Sequence, residues 1–501
     1  MALTAATALP ARADVLVVGS GAGGAPTAAL LAEAGFHVVI VEEGDLVRQG
    51  EVVPFSLEQM ERQYRSAGVT AAIGRPAIAY TEGCCVGGGT EINSGLYRRP
   101  PADVLERWRR DYAIGDFDPA ELYEICDEVE AELSVQPLPG PAIAASEAMR
   151  RGAQRLGWAH DEIPRWMIYP GLGRVQEGPG VGDAAANTAT QPVSGRRRSM
   201  TETYLPRAVA AGATIVPGHR VDRLTFNGDR AVGADVRDHT GRHASIRFGS
   251  VFVCAGAIQT PALLQRSGLR RRVGASLAVH PTVKLAARFD QELNVADDIP
   301  VHQVTEFTPD LSFGGSASGP GLIALALSDQ WPLFGEAVEH WQHIAVYYAA
   351  ITSEGRGRVI AVPGLHDPIV TYRLTPRDRA LLGRGLARLA LVMLEAGAAA
   401  VYPSYRGAPV VRARRDLATM QRTFSAGRAS VMTVHLCSTV PMGGHEPRCA
   451  TDSFGRVNGS RNVYVNDASL LPDAPGVNPQ ASIMAVAIRN ARRFVAGHAA
   501  A

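Results

Sequence analysis

His435 and Asn478 place an imidazole and a primary amide in the C-terminal part of the chain. A neutral imidazole, with a reference pKa of about 6.5, is the side chain best matched to proton exchange near neutral pH. An amide carries a donor and an acceptor on one plane, so it can fix an oxygen without competing for its proton. Near the other terminus lies Gly19-Ser20-Gly21-Ala22-Gly23-Gly24, a turn of the GxGxxG type. Without Cβ atoms, backbone N–H groups in such a turn can come close to a pyrophosphate. One end of the chain is suited to holding a dinucleotide, the other to chemistry beside it.

The glycines can act this way only between a buried strand and a helix. Asp14-Val15-Leu16-Val17-Val18 is an apolar run fit for a parallel strand, and Ala25 to Ala34 is an alanine-rich stretch fit for the helix that follows. Gly19 then makes the tight turn, Gly21 lets backbone approach the phosphates, and Gly24 packs helix on strand, with the helix N-terminus facing the anion. Val38-Val39-Ile40-Val41 leads into Glu42, near the offset of about 20 residues at which an acid binds a ribose 2′-OH. FAD and NAD both satisfy this pattern. A second glycine-rich stretch, Gly83 to Arg99, is too polar for a core strand and suits a loop passing close to a flat ring system.

At 501 residues the chain exceeds the roughly 250 to 300 at which a single core stops growing, so two domains are expected. Its 46% hydrophobic and 20% charged residues are those of an ordinary globular protein. A formal charge of +1 excludes a general nucleic-acid or anionic-membrane binder and leaves a small molecule as the expected partner. The runs Arg196-Arg197-Arg198 and Arg270-Arg271-Arg272 read as solvated surface, and Lys284 is the sole lysine. The six cysteines show no metal-ligand spacing, and adjacent Cys84 and Cys85 suit free thiols in a reducing compartment. Neither a signal peptide nor a membrane-spanning apolar run is evident, so a cytoplasmic protein without a metal is expected.

Three stretches resemble the glucose-methanol-choline (GMC) oxidoreductases. The first is the loop carrying Gly87, Gly88, Gly89, Asn93, Tyr97 and Arg98. The second runs from Cys254-Ala255-Gly256-Ala257 through Ser267-Gly268, with Arg270 in place of the usual glycine. The third joins Val434 to Gly443, Tyr464 to Ser469 and Gly476-Val477-Asn478-Pro479-Gln480-Ala481-Ser482-Ile483. The resemblance implies a Rossmann-like FAD-binding domain with a second, sheet-containing substrate domain, an α/β (overall α+β) fold. It implies FAD contacts at Gly88, Gly89, Asn93 and Asp467, at Asn478, Pro479, Gln480 and Ser482 beneath the flavin, and at Val221 near the adenine. Some family members tether FAD through a histidine just before the loop asparagine; this chain has Ile92 there, so noncovalent FAD is expected.

By the same resemblance, His435 accepts a hydroxyl proton while Asn478 orients the hydroxyl and the flavin takes a hydride. The expected reaction is oxidation of a small-molecule alcohol, with oxygen or another acceptor reoxidising the flavin. The aromatic fraction of only 6% favours a sugar-like or aminoglycoside-like polyol over an apolar alcohol or sterol. A hydroxynitrile-lyase type of enzyme with redox-inactive FAD, a noncatalytic flavin-binding protein and an NAD-dependent dehydrogenase are the other readings. His280-Pro281 reads as a structural junction, and His302, His340 and His343 as candidates for substrate contact. Residues 1–150, 196–285 and 430–501 are assigned to the FAD domain, and 151–195 and 286–429 to the substrate domain. Within these, Thr214 to Val236 reads as a small meander, Ile344–Tyr348 and Arg358–Val362 as strands, Leu381 to Ala400 as a packed helix, and Gly171 to Gly182 as an active-site loop.

Overall fold

A computed structural model describes residues 3–169, 195–293 and 300–499. The loop expected at Gly171 to Gly182 lies outside the described residues. The apolar run at the N-terminus forms strand Arg12–Val18, in which Val15, Leu16 and Val17 are almost completely buried. It pairs in parallel with Val38–Val41 on one side and with His243–Val253 on the other. Thr214–Val216 and Val463–Val465 extend this parallel core at its two edges. The expected meander is present: His219–Asn227 and Arg230–Asp238 continue the sheet as antiparallel strands to give seven in all. Helices Gly24–Glu33, Tyr204–Ala210 and Gln480–Ala499 pack together on this unit. Doubly covered parallel strands are buried on both faces, which is why they read as continuous rather than alternating apolar runs.

The second sheet has nine strands and draws on distant parts of the chain. Its centre is Thr282–Arg288, paired antiparallel with Ile344–Ile351 and with Ala400–Pro403. Thr70–Ala72, Ile78–Tyr80 and Val431–Thr433 reach it from one side, and Leu311–Gly315, His302–Val304 and His160–Glu162 complete the other. Helix Pro376–Glu395 covers one face through Leu381, Leu382, Leu386 and Leu389. It begins earlier than the leucine and alanine pattern suggests because Thr375 caps it: Thr375 Oγ1 accepts from Asp378 N at 3.1 Å and Asp378 accepts from Thr375 N at 2.8 Å. The chain beyond it returns to the sheet at Ala400, the expected end of the helix. The six cysteines are free, and among the described residues no helix is long and apolar enough to cross a membrane and no His/Cys/Asp/Glu group could hold a metal.

Candidate active site

At the nucleotide end the three fingerprint glycines have different physical reasons. Gly19 has φ +97°, and a Cβ on it would lie 2.3 Å from the Cys254 carbonyl oxygen. On Gly24 it would lie 2.0 Å from the Gly19 oxygen, so Gly24 packs helix on strand and does not line the cavity. Gly21 is open: a Cβ there meets only Gly87 O and Gly88 Cα, both at 3.9 Å. Gly23, unremarked in the sequence, is as tightly constrained as Gly24, with Asn466 O at 2.0 Å. Glu42 holds this turn. Its carboxylate accepts from Ser20 N at 3.0 Å, Ser20 Oγ at 2.8 Å and Gly44 N at 3.1 Å, while burial pushes its pKa up. Ser20 Oγ accepts in turn from Gly87 N at 2.9 Å, joining the two glycine-rich loops.

The other expected contacts converge on the same cavity, which has a volume of about 1950 Å³. Gly88, Gly89, Asn93, Val221, Asp467, Asn478, Pro479 and Gln480 all line it; Ser482 does not, and its buried Oγ has no partner among the described residues. Asn93 Nδ2 donates to Gln480 Oε1 at 2.7 Å, fixing the second glycine loop to the start of the C-terminal helix. Asp467 accepts from Gly256 N at 2.8 Å and Thr260 Oγ1 at 2.5 Å, and also from Ser469 N at 2.8 Å and the Ser469 hydroxyl. It ties together the elements around the turn, a role the motif alone did not reveal.

His435 is placed by strand register. Ala278 and Val279 pair with Cys437 and Leu436, and a few residues on Thr282 pairs with Met432. His280 and His435 therefore lie opposite each other where both segments pass from this short ladder into the nine-stranded sheet. Thr282 Oγ1 donates to His280 O at 3.0 Å, and Thr433 Oγ1 bonds both the carbonyl and the N–H of His435, which fixes each turn. The rings meet edge to face with Nδ1 to Nδ1 at 2.9 Å. His435 Nε2 faces Asn478 Nδ2 at 3.5 Å, and His280 Nε2 accepts from Gly476 N at 3.0 Å.

These contacts fix the hydrogens. Burial drives the pKa of His435 down to about 4 and that of His280 well below its ordinary value, so both rings are neutral near pH 7. Two neutral rings carry two N–H hydrogens, and only one fits between the facing Nδ1 atoms. The second must sit on an outward nitrogen. His280 Nε2 already accepts a backbone N–H that cannot reverse, so the hydrogen lies on His435 Nε2, and the amide of Asn478 can turn its oxygen toward it. The resting ring thus offers the cavity a donor.

Three histidines considered for substrate contact do not line the cavity. His302 is buried against helix Ala144–Leu156, with Nδ1 2.9 Å from Ser146 Oγ, and His340 and His343 lie in the turns before Ile344. His280, read as a structural junction, is the residue that contacts His435. The expectation of a solvated Arg196 to Arg198 run holds for Arg196 alone. Arg197 donates to the Glu91 carbonyl, and Arg198 to the carbonyls of Glu202 and Glu132 at 3.2 and 3.1 Å. Arg270, Arg271 and Arg272 are exposed.

The cavity fits FAD. It exceeds the roughly 300 to 1,000 Å³ of ordinary small-molecule pockets and has room for a dinucleotide and a substrate. The open faces of Gly21 and Gly89 leave space a side chain would fill, and no side chain caps or charges the first turn of helix Gly24–Glu33. A parallel sheet ending in this turn, and a cavity running from it to a histidine–asparagine pair, define a dinucleotide-dependent oxidoreductase. The chain belongs to the GMC oxidoreductase family: family models for its N- and C-terminal parts match residues 60–282 and 354–487. It is 39% identical over 489 residues to the GMC-type oxidoreductase y4nJ of Sinorhizobium fredii, covering 96% of this chain and 94% of that one. Long-chain-alcohol oxidase FAO1 of Arabidopsis thaliana is 25% identical over 517 residues, covering 95% of this chain and 65% of that protein. Pyridoxine 4-oxidase from Mesorbium loti shares the fold with TM-score 0.70 and 18% identity, over 96% and 99% of the two chains. A formate oxidase variant from Aspergillus oryzae does so with TM-score 0.73 and 16% identity, over 98% and 99%.

Proposed function

We propose that this protein oxidises an alcohol to an aldehyde or ketone, with FAD held noncovalently and with His435 and Asn478 on the reacting hydroxyl. The observation that carries this reading is the approach of His435 Nε2 and the Asn478 amide, 3.5 Å apart, on a cavity whose other end is the glycine turn. When bound, FAD supplies a hydride acceptor. Ile92, the residue before Asn93, has no nucleophile with which to tether it.

The chain's own residues hold the oxygen. An N–H from His435 and the amide of Asn478 can bond one hydroxyl oxygen, and donors aimed at that oxygen stabilise the negative charge it gains as its proton leaves. The sequence expectation gave His435 the hydroxyl proton. The hydrogen count puts a hydrogen on that atom already, so we assign the resting ring a donor role and give the hydroxyl proton to solvent water entering the cavity. We propose the seven-stranded sheet, from 1–150, 196–285 and 430–501, as the cofactor unit. On this reading 160–162 and 286–429 supply most of the roof, while the first half of its central strand at 282–285 and short strands at 70–72, 78–80 and 431–433 reach across to it.

A polar substrate of the sugar-like kind suits the roof, where Arg98 Nε donates to Gln303 Oε1 at 3.3 Å and Gln303 Nε2 to Tyr348 Oη at 3.0 Å. An apolar alcohol or sterol is the second reading, supported by the long-chain-alcohol oxidase relative. Oxygen or another small acceptor would complete the cycle. A cytoplasmic location belongs to the same proposal, on the free Cys84 and Cys85 pair. His435→Ala, loaded with FAD, should lose most alcohol-dependent flavin reduction; near-normal turnover would remove His435 from the site.

A further inference from the structure

Lys284 is the only lysine in 501 residues, and it stands on the roof of the cavity. On strand Thr282–Arg288 side chains alternate between faces. Val283, Leu285 and Ala287 join the core under helix Pro376–Glu395. Thr282 and Lys284 turn the other way and line the cavity. Thr282 begins the strand just after His280, so Lys284 lies one step further along the same face from the histidine pair. Its cross-strand partner is Tyr348, and Ser404 N bonds its carbonyl at 3.1 Å.

The surrounding polar groups are already engaged. Tyr348 accepts from Gln303, Gln303 from Arg98, and Arg98 pairs with Asp161 at 3.0 Å. Asp329, also on the cavity wall, accepts from Ser430 Oγ at 2.7 Å. Among the described residues no carboxylate lies within ion-pair distance of Lys284 and no hydrogen bond reaches its ammonium. Desolvation alone lowers its pKa to about 8, so the amine is still mostly protonated at pH 7. An unpaired ammonium in a cavity is costly to maintain unless a ligand brings the partner.

We propose that Lys284 is the recognition group for a carboxylate on the substrate, so that the alcohol this site takes is a hydroxy acid. The proposal rests on the alcohol-oxidation reading and narrows it. A single ammonium matches one negative charge: Arg98, on the same wall, is held by Asp161, and Arg406 and Arg428 are exposed residues at the cavity rim. The same charge repels a cationic amino sugar, so the aminoglycoside-like branch of the sequence expectation is set aside in favour of an acidic one.

The test compares ω-hydroxycarboxylates with their methyl esters as reductants of the FAD-loaded protein without oxygen, in wild type, Lys284→Met and Lys284→Arg. Lys284→Met should weaken half-saturation by the acids by about tenfold to a hundredfold and leave the esters unchanged, with Lys284→Arg in between. A second readout needs no turnover. Because Lys284 is the only lysine, its acetylation by acetic anhydride can be followed on one peptide by mass spectrometry, and butyrate should protect it where butyramide does not. Equal use of acids and esters in all three proteins, with no protection by butyrate, would overturn the proposal. Protection by butyrate in a protein whose flavin no alcohol reduces would support the anion site and defeat the oxidation reading instead.

Discussion

Replacing His435 by glutamine and by alanine separates a donor from a base. The glutamine amide can place an N–H near the position of imidazole Nε2 and has no useful basicity, while alanine has neither property. If the hydrogen sits on Nε2, as the His280 and Gly476 contacts require, the lost term in alanine is one donor on the reacting oxygen. Removing such a donor costs about a hundredfold to a thousandfold in rate. Glutamine should then retain flavin reduction within about tenfold of wild type. If His435 were the base, glutamine would fall with alanine by about a hundredfold to ten-thousandfold. Both variants leave the Nδ1 hydrogen of His280 without its acceptor, at about 1 to 3 kcal/mol of stability. The assay is therefore stopped-flow flavin reduction without oxygen, normalised to bound FAD. Glutamine as slow as alanine would refute the hydrogen assignment.

Gly21→Val should fold and lose FAD, because the new side chain enters open cavity, whereas Gly24→Val should fail to fold with a Cβ 2.0 Å from Gly19 O; circular dichroism and flavin content separate the two. Glu42→Ala should weaken FAD retention on dialysis, and Ser20→Ala should do so more mildly, since Ser20 Oγ links Glu42 to the second glycine loop; unchanged cofactor content would undo this assignment. His280 and His435 have folded pKa values below their unfolded one of about 6.5. Their contribution to stability is thus complete above pH 6.5 and is lost as pH falls toward 4, because the unfolded chain binds their protons first. The melting temperature should drop across that window in wild type and drop less in His435→Gln; equal losses would contradict the burial of the ring.

What could be read in the sequence was local. The runs at Val15–Val18 and Val38–Val41, the glycine turn between strand and helix, and the hairpins from Thr214 to Val236 each declare themselves within about ten residues. The roof did not, because its nine strands come from segments between Thr70 and Thr433 and exist only through pairing. For the same reason His280 passed for a junction: only the register of 278–279 on 436–437 brings it to His435. The Thr375 to Asp378 capping box was legible and would have set the helix start correctly. The fate of Arg197 was not, since its partner is a backbone carbonyl at Glu91. Lys284 stood out by its rarity, but its place on the cavity followed from strand alternation in a sheet whose register the sequence did not reveal.

The most direct test of the central claim is the visible spectrum of the purified FAD-loaded protein, recorded without oxygen, as alcohols are added. The panel runs through hydroxy acids, neutral polyols, aminoglycosides, long-chain alcohols and sterols. Bleaching of the flavin band by one of these classes, strongest for the hydroxy acids, is the predicted result, and recovery on admitting air would identify oxygen as a competent acceptor. A flavin that stays oxidised with every alcohol while the protein cleaves a hydroxynitrile would contradict the account.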